Sequence, residues 1–133
     1  MSDKTLYVCG AMFNEELTKL ALIRKNRPEW QAGKLNFIGG HVEPGEMFIT
    51  AMVREFWEET GVKTKKGQWR LFDIVEGPTS YVKMYTTIGD LTQLKTTTDE
   101  LIFAVDLDDL PDLTAVPNLH WLIPAALKNL RNR

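Results

Sequence analysis

The stretch from residue 39 to residue 62 reads GGHVEPGEMFITAMVREFWEETGV, and it is the most informative part of this chain. It starts with paired glycines, passes through a loop at 41–45 and continues into a segment at 46–60 with helical periodicity. Gly61 then provides a favourable C-terminal stop. Because successive helical residues lie about 100° apart, Glu55, Glu58 and Glu59 fall within one arc of roughly 100°. Three acids therefore project from one side of the predicted helix.

The opposite side of the same helix is apolar. Ile49, Val53, Phe56 and Trp57 lie between about 100° and 200° from Glu55 on the helical wheel. We expect this stripe to face a sheet while the acids face away from it. Like charges at these spacings repel, and they crowd toward the helix end that the dipole disfavours for acids. Hard oxygen ligands on one rigid face suit Mg²⁺ or Mn²⁺; a solvated acidic helix face is the ordinary alternative.

The residues around the acids fit a phosphate site. Gly39 and Gly40, at a strand end, can adopt backbone conformations forbidden to other residues and let phosphate approach main-chain groups; an ordinary turn is the alternative. Arg54 precedes Glu58 by four residues, so it can orient a carboxylate and offset part of the repulsion. His41 is expected to be a loop residue rather than a ligand or a base.

The rest of the chain predicts a mixed sheet with helices packed on it. Strands are expected at 5–13, 18–24, 35–38, 68–76, 81–88 and 101–106. A C-terminal helix is expected at 118–130, with Pro124 kinking it or marking a restart. This order favours an α+β fold, an α/β/α sandwich with a mixed β-sheet, rather than a regular doubly wound parallel sheet. The length of 133 residues fits a single domain spanning 1–133.

Composition excludes several classes of protein. The apolar fraction of 44% and the charged fraction of 26% are those of an ordinary globular protein, and the net charge of -2 gives little non-specific attraction to nucleic acid. Cys9 is the only cysteine, which excludes an intramolecular disulfide and a cysteine-based zinc site; it is expected to be a buried, inert thiol. The start at 1–4 shows no secretory signal, and no apolar run could span a membrane. We therefore expect a cytoplasmic location.

Taken together, residues 40–62 resemble the Nudix box of the Nudix hydrolase family. That motif is a glycine, five residues, Glu, seven residues, Arg-Glu, an apolar residue, any residue, Glu-Glu, any residue, Gly and an apolar residue. The flanks at 30–37 and 118–124 also look like those of family members, whereas Ile38 stands where many relatives have proline. Every specified position of the box is matched, by Gly40, Glu46, Arg54, Glu55, Phe56, Glu58, Glu59, Gly61 and Val62.

The resemblance implies roles for individual residues. Glu58 and Glu59 would bind catalytic Mg²⁺, for which Mn²⁺ can substitute, and Glu55 would be a further ligand or the general base. Arg54 would orient a glutamate. Gly39, Gly40 and Glu46 would form or support the phosphate and metal region, with the Gly39 carbonyl completing the metal shell. Many members add an acidic ligand or base from a later loop, for which the candidates are Glu100, the adjacent Asp99 and, as a competitor, Glu76.

The implied activity is hydrolysis of a nucleoside diphosphate derivative. A short chain favours a nucleoside triphosphate, oxidised or damaged ones included, cut to the monophosphate and pyrophosphate. ADP-ribose, dinucleoside polyphosphates and the 5′ end of RNA are the alternative substrates, and a nucleotide-binding regulatory module is the non-enzymatic alternative. Homodimers are frequent in the family. An RNA substrate should favour a basic surface, and the one local basic cluster, which is interpreted as a solvated turn, is Lys63, Lys65, Lys66 and Arg70. Aromatic residues available for base recognition, not assigned individually, are Phe37, Phe72, Tyr81, Tyr85 and Trp121.

Overall fold

A seven-stranded mixed sheet forms the centre of the computed structural model, which describes residues 4–132. Residues 1–3, part of the start at 1–4 that was predicted to carry no secretory signal, lie outside the described residues. Within residues 4–132, no helix is both long and apolar enough to cross a membrane. The strands are β1 (Thr5–Phe13), β2 (Lys19–Arg24), β3 (Leu35–Asn36), β4 (Ile38–His41), β5 (Arg70–Glu76), β6 (Ser80–Ile88) and β7 (Ile102–Asp106).

Strand β1 organises the sheet. It runs parallel to β6 over its whole length, from Thr5 opposite Ser80 to Phe13 opposite Ile88. On its other side it pairs antiparallel with β4 and, at its end, with β2. β2 extends the sheet to β3 and β7, and β5 pairs antiparallel with β6. Parallel and antiparallel pairs therefore coexist, which confirms the predicted mixed sheet.

One long helix packs on each face of the sheet. Helix α1 is Phe48–Thr60 and helix α2 is Leu119–Arg131. Side chains alternate along each strand, so Leu20 and Leu22 enter the core beneath α2 while Ala21 enters the core beneath α1. The two cores on opposite faces make the predicted α/β/α sandwich.

The strand before α1 differs from the prediction. It was expected to stop at the glycine pair, but β4 continues through Gly39 and Gly40 in an extended conformation. A Cβ on Gly39 would overlap the carbonyl oxygen of Val8 in the neighbouring strand. Glycine is therefore needed here for close approach between strands, not for unusual backbone angles. The glycines with a left-handed backbone are Gly33, Gly45 and Gly61.

Helix α1 has the predicted apolar side, except at Trp57. It starts at Phe48, two residues later than expected, and ends at Gly61, whose φ of 74° is left-handed. Phe56 is fully buried, whereas Trp57 is 47% exposed and has the Lys63 ammonium 5.8 Å from its ring centroid. Trp57 lies at about 200° from Glu55, at the edge of the apolar stripe, and so misses the sheet.

A kink or a restart was predicted at Pro124; helix α2 is continuous across it, so the restart does not occur. The proline faces solvent, and the buried side of the helix holds both halves on the sheet. The residues on that side are Leu119, Leu122, Ile123, Ala126 and Leu130.

Candidate functional site

The guanidinium of Arg54 is the centre of the acidic site. Its Nε and Nη2 donate to the two carboxylate oxygens of Glu46, each at 2.9 Å, while Nη1 donates to Glu55 Oε1 at 2.8 Å. Nη2 also donates to the carbonyl oxygen of His41 at 2.9 Å, which ties the helix to the end of β4. The bond from Arg54 lowers the pKa of Glu46. A partly buried, bidentate arginine of this kind fixes the orientation of the acids around it.

Gly40 makes room for the first helix glutamate. The carboxylate of Glu55 lies so close to Gly40 that a Cβ there would overlap it. Burial raises the pKa of Glu55, and this effect exceeds the opposing effect of its bond to Arg54. The glycine of the motif therefore allows a carboxylate to lie directly against the backbone of β4.

Glu59 is half-buried, and one of its carboxylate oxygens is buried. It lies at about 40° on the wheel, beside Met52 at about 60°, and Met52 is fully buried. The nearby backbone N–H of Gly39 favours the ionised form of its carboxylate. Its Oε2 is buried and has no hydrogen-bond partner among the described residues. Burial and then the nearby charge of Glu55 raise the pKa of Glu59 to about 7.

Glu58 lies on the solvent side of the same row. Its side chain is 46% exposed, and its carboxylate is 3.3 Å from Arg54 Nη1. The Thr97 hydroxyl donates to the backbone carbonyl oxygen of Glu58, which joins the end of α1 to the loop before β7. The three acids predicted to share one arc therefore differ in their exposure to solvent, from exposed Glu58 to inward-pointing Glu59.

Glu100 reaches the same region from the loop before β7. Its side chain is 7% exposed, and Lys25 Nζ lies 3.0 Å from Oε1. The backbone N–H of Asn26 donates to Oε2 at 2.7 Å. Burial alone would raise the pKa of Glu100, but the bonds from Asn26 and Lys25 outweigh it and leave the pKa lowered. The negative charge of Glu100 is also felt at Glu59.

The competing acids of the sequence analysis have other partners. Asp99 is exposed and forms an ion pair with Arg27. Glu76 is 49% exposed and binds Lys4 at 2.5 Å, at the end of β5. Glu100 is therefore the later acid that the fold brings to the helix glutamates.

Lys25 is the site residue that the sequence analysis missed. It follows β2 directly, its side chain is 20% exposed, and its charge stabilises the ionised form of Glu59. The signal available in the sequence was the basic run Arg24-Lys25-Asn26-Arg27 at the end of the predicted strand 18–24. The place of Lys25 in the site depends on the fold, in which the loop before β7 lies opposite Lys25.

Other candidates are placed less centrally. Cys9 is half-buried on β1, where a buried thiol was expected, and burial raises the pKa of its thiol to about 12. His41 is exposed, with its ring 4.7 Å from that of Tyr7. Among the aromatic residues named for base recognition, Phe37 and Tyr85 are buried in the two cores, while Trp121 is 48% exposed.

The carboxylates form a row of possible metal ligands, and cationic side chains lie between them. Across residues 4–132, no three Asp, Glu, His or Cys side chains converge closely enough to form a ready-made cation cage. Arg54 holds Glu46 and Glu55. The unpartnered Oε2 of Glu59 nevertheless fits an incoming cation, because a buried oxygen without a donor is unfavourable until something positive reaches it. The donor set, all carboxylate, suits a hard divalent ion.

Comparisons with known proteins agree with this arrangement. The family model described as NUDIX domain matches residues 3–127. A curated relative, the NAD-capped RNA hydrolase NudC of Chromobacterium violaceum, is 27% identical; the match covers 93% of this chain and 51% of the relative. This chain thus spans about half the length of that relative.

Solved structures show the same fold. One, from a study of MutT from Aliivibrio salmonicida and Vibrio cholerae, has a TM-score of 0.79 and 21% identity, covering 95% of this chain and 98% of the other. Another, a bifunctional NMN adenylyltransferase/ADP ribose pyrophosphatase from Francisella tularensis complexed with AMP and a manganese ion, has a TM-score of 0.80 and 13% identity, covering 95% and 42%. With the complete box placed as described, and the family model matched over residues 3–127 of this chain, the chain belongs to the Nudix hydrolase family.

Proposed function

We propose that this chain is a Mg²⁺-dependent pyrophosphohydrolase that cuts the phosphoanhydride bond of a nucleoside diphosphate derivative. The observation that carries the proposal is the buried Oε2 of Glu59, which lacks a hydrogen-bond partner in the described structure and lies in a row with Glu55 and Glu58. A row that served only structure would pair this oxygen. A divalent cation would satisfy it and relieve the repulsion along the helix.

Each residue has a defined part in this proposal. Glu58 and Glu59 hold the metal, and Glu55 is a further ligand or the base that accepts the proton of the attacking water. When bound, the metal neutralises phosphate oxygens and lowers the pKa of that water. Arg54 keeps Glu55 and Glu58 oriented through its bonds at 2.8 and 3.3 Å. Gly40 leaves room for the Glu55 carboxylate against the backbone of β4, and Gly39 lets β4 approach Val8 of β1 closely.

The proposed substrate is a nucleoside triphosphate, hydrolysed to the monophosphate and pyrophosphate, with oxidised nucleotides included. Similarity to a MutT structure over almost the full length of both chains agrees with a compact substrate. A nucleotide with an internal diphosphate is the second candidate. It is favoured by the named activities of two similar proteins, an ADP ribose pyrophosphatase and an NAD-capped RNA hydrolase.

A nucleotide panel with product identification tests the proposal. Purified protein is incubated with Mg²⁺ and with nucleoside triphosphates, oxidised nucleotides, ADP-ribose, NAD and dinucleoside polyphosphates, and products are separated by chromatography. Pyrophosphate plus a monophosphate supports the first substrate class, and AMP plus ribose 5-phosphate supports the second. Absence of phosphoanhydride cleavage across the panel would refute the activity.

Two variants test the residues. Glu58→Gln and Glu59→Gln should each lower kcat about 100-fold or more, because a metal supplies several kcal/mol of transition-state stabilisation. Glu15→Gln is the matched control, since it removes one carboxylate charge from the exposed turn after β1 and should leave kcat unchanged. Rates near wild type in both helix variants would remove these glutamates from the mechanism.

A further inference from the structure

We propose that Tyr7 and His41 form the surface on which the nucleobase of the substrate stacks. This inference rests on the proposed function, because it assigns the base-binding side of the same site. Neither residue is among the aromatic candidates named from the sequence. Tyr7 lies in an apolar strand, and His41, which was expected in a loop, is the last residue of β4.

Strand register brings the two rings into contact. Tyr7 of β1 is directly opposite His41 of β4 in their antiparallel pair. The ring centroids are 4.7 Å apart, and the interplanar angle is 43°. Directly opposed side chains on one face of such a pair are close enough to interact. His41 is exposed and Tyr7 is only partly buried, so the pair presents aromatic surface to solvent.

The two rings lie on the face of the sheet that carries α2. Along β1, Cys9 packs against the core beneath α2, whereas Val8 belongs to the core beneath α1. Because side chains alternate along a strand, Tyr7 shares the face of Cys9. On β4, a Cβ at Gly40 would meet a carboxylate of α1, so the next residue, His41, points to the opposite face.

The rings adjoin the carboxylate row. His41 follows Gly40, against which the Glu55 carboxylate lies. The carbonyl oxygen of His41 accepts a bond from Arg54 Nη2 at 2.9 Å, and Nη1 of the same guanidinium donates to Glu55 at 2.8 Å. The backbone of His41 is therefore fixed relative to the acids. A nucleotide whose phosphates lie at the row is long enough to reach the ring of the adjacent residue.

The outer edge of β4 is open to such a ligand. Among the described residues, β4 pairs only with β1, so its other edge has no strand partner. The acids of α1 lie against this strand from one face, and the Tyr7–His41 pair lies on the other face. A ligand can therefore extend past this edge from the acids to the rings.

Flat rings beside a phosphate site are suited to a nucleobase. Tyr and His side chains stack with bases, and this contact is tolerant of base identity because every base has a π-face. The carboxylate row binds metal and, through the metal, phosphate, but it offers no flat apolar surface. The two parts are therefore complementary, and adenine and guanine nucleotides should depend on the rings to a similar extent.

Binding of nucleoside monophosphates tests the surface without catalysis. GMP and AMP contain no phosphoanhydride bond, so calorimetry with Mg²⁺ present measures binding without turnover. Tyr7→Ala and His41→Ala should each weaken both nucleotides about tenfold, the loss of one base–aromatic stack. Ribose 5-phosphate, which has no base, should bind all proteins equally. His41→Phe keeps a ring and removes the ionisable group, and it should bind both nucleotides nearly as wild type does.

The kinetic constants should divide in the same way. With a substrate that the nucleotide panel identifies, Tyr7→Ala and His41→Ala should raise KM about tenfold and leave kcat close to that of wild type. A stack made equally in the bound substrate and in the transition state contributes uniform binding, which changes KM alone. Both substitutions keep the backbone carbonyl that Arg54 binds.

Tyr81 offers a matched control. It is partly buried near the start of β6, and its ring centroid is 5.8 Å from that of Phe48. It is opposite Leu6 in the parallel β1–β6 pair, so it lies on the face of α1 and not on that of Tyr7. Tyr81→Ala removes the same side chain as Tyr7→Ala and should leave GMP binding unchanged. A tenfold loss in this control would show that removal of any such ring weakens binding, and would contradict the assignment.

The outcomes separate this inference from the proposed function. If the panel substrate is cleaved with wild-type KM by both alanine variants, or if ribose 5-phosphate is weakened as much as GMP, the inference is wrong and the activity stands. If nothing in the panel is cleaved but GMP binding still requires a ring at position 41, the proposed activity is wrong and the stacking surface stands. Should Tyr7→Ala fail to fold, the comparison of His41→Ala with His41→Phe decides the question, because that side chain is exposed.

Discussion

Replacing Arg54 by Ala should destabilise the fold much more than loss of an ordinary surface arginine would. Arg54 is 23% exposed at its side chain, and its partners Glu46 and Glu55 are 12% and 14% exposed. Truncation leaves two shielded carboxylates without a cation, and breaking a buried pair costs about 3–5 kcal/mol. Allowing for partial exposure, we expect the free energy of unfolding to fall by about 3 kcal/mol.

Denaturant unfolding of metal-free protein measures this loss. For a chain of this length a fall of about 3 kcal/mol corresponds to a decrease in Tm of about 12 °C. Arg70→Ala is the control, because Arg70 is exposed and its bond is to the single acceptor Asn129 Oδ1 at 2.8 Å; its cost should stay below about 1 kcal/mol. Adding Glu46→Gln to Arg54→Ala should recover part of the loss, because one unpaired charge is removed. A loss under about 1 kcal/mol for Arg54→Ala, or no recovery in the double variant, would refute this account of the site.

Three further predictions follow from described features. In metal-free protein the pKa of Glu59 is raised to about 7. The protonated carboxyl therefore stabilises the fold fully below the pKa of the unfolded chain, and this stabilisation is lost as pH rises toward 7. Denaturant unfolding measured across that range should show the loss, and Glu59→Gln should remove it. Gly61→Ala should lower the free energy of unfolding by about 1 kcal/mol, because the φ of Gly61 is 74°. Gly67→Ala, which has open space around the new methyl group, should lower it by less than half of that. Equal losses would contradict the strain argument. Phe56→Ala should lower the free energy of unfolding by about 3–5 kcal/mol, and Trp57→Ala by less than about 1.5 kcal/mol, since the first side chain is fully buried and the second is 47% exposed; similar losses would show that both rings support the core.

Prediction from sequence succeeded where the signal was local and periodic. The bounds of β1 match those predicted, and the left-handed Gly61 ends α1 as expected. The helical wheel also brought the three acids together, because their spacing depends only on helix geometry. It did not show that Glu59 points inward while Glu58 faces solvent, since that difference depends on which side of the helix the sheet contacts.

Features that depend on distant partners were out of reach. The use of Gly39 depends on the carbonyl of Val8 in another strand, so the glycine pair was predicted to end the strand and not to continue it. The role of Lys25 depends on its ion pair with Glu100, which is 75 residues away in the chain. Such pairs follow from register, and register is not visible in the composition of either segment.

The parallel pairing of β1 with β6 has a consequence for how the chain folds. Thr5 is opposite Ser80 and Phe13 is opposite Ile88, so the central pair joins segments 75 positions apart and encloses four strands and α1 in one closed loop. Loops of this size must close before their contacts stabilise the chain, which makes folding slow and cooperative. During synthesis, β1 therefore cannot pair over its full length with β6 until residue 88 has left the ribosome. Fragments ending before β6 should remain unfolded, with the apolar residues of the segment Phe48–Thr60 exposed to solvent.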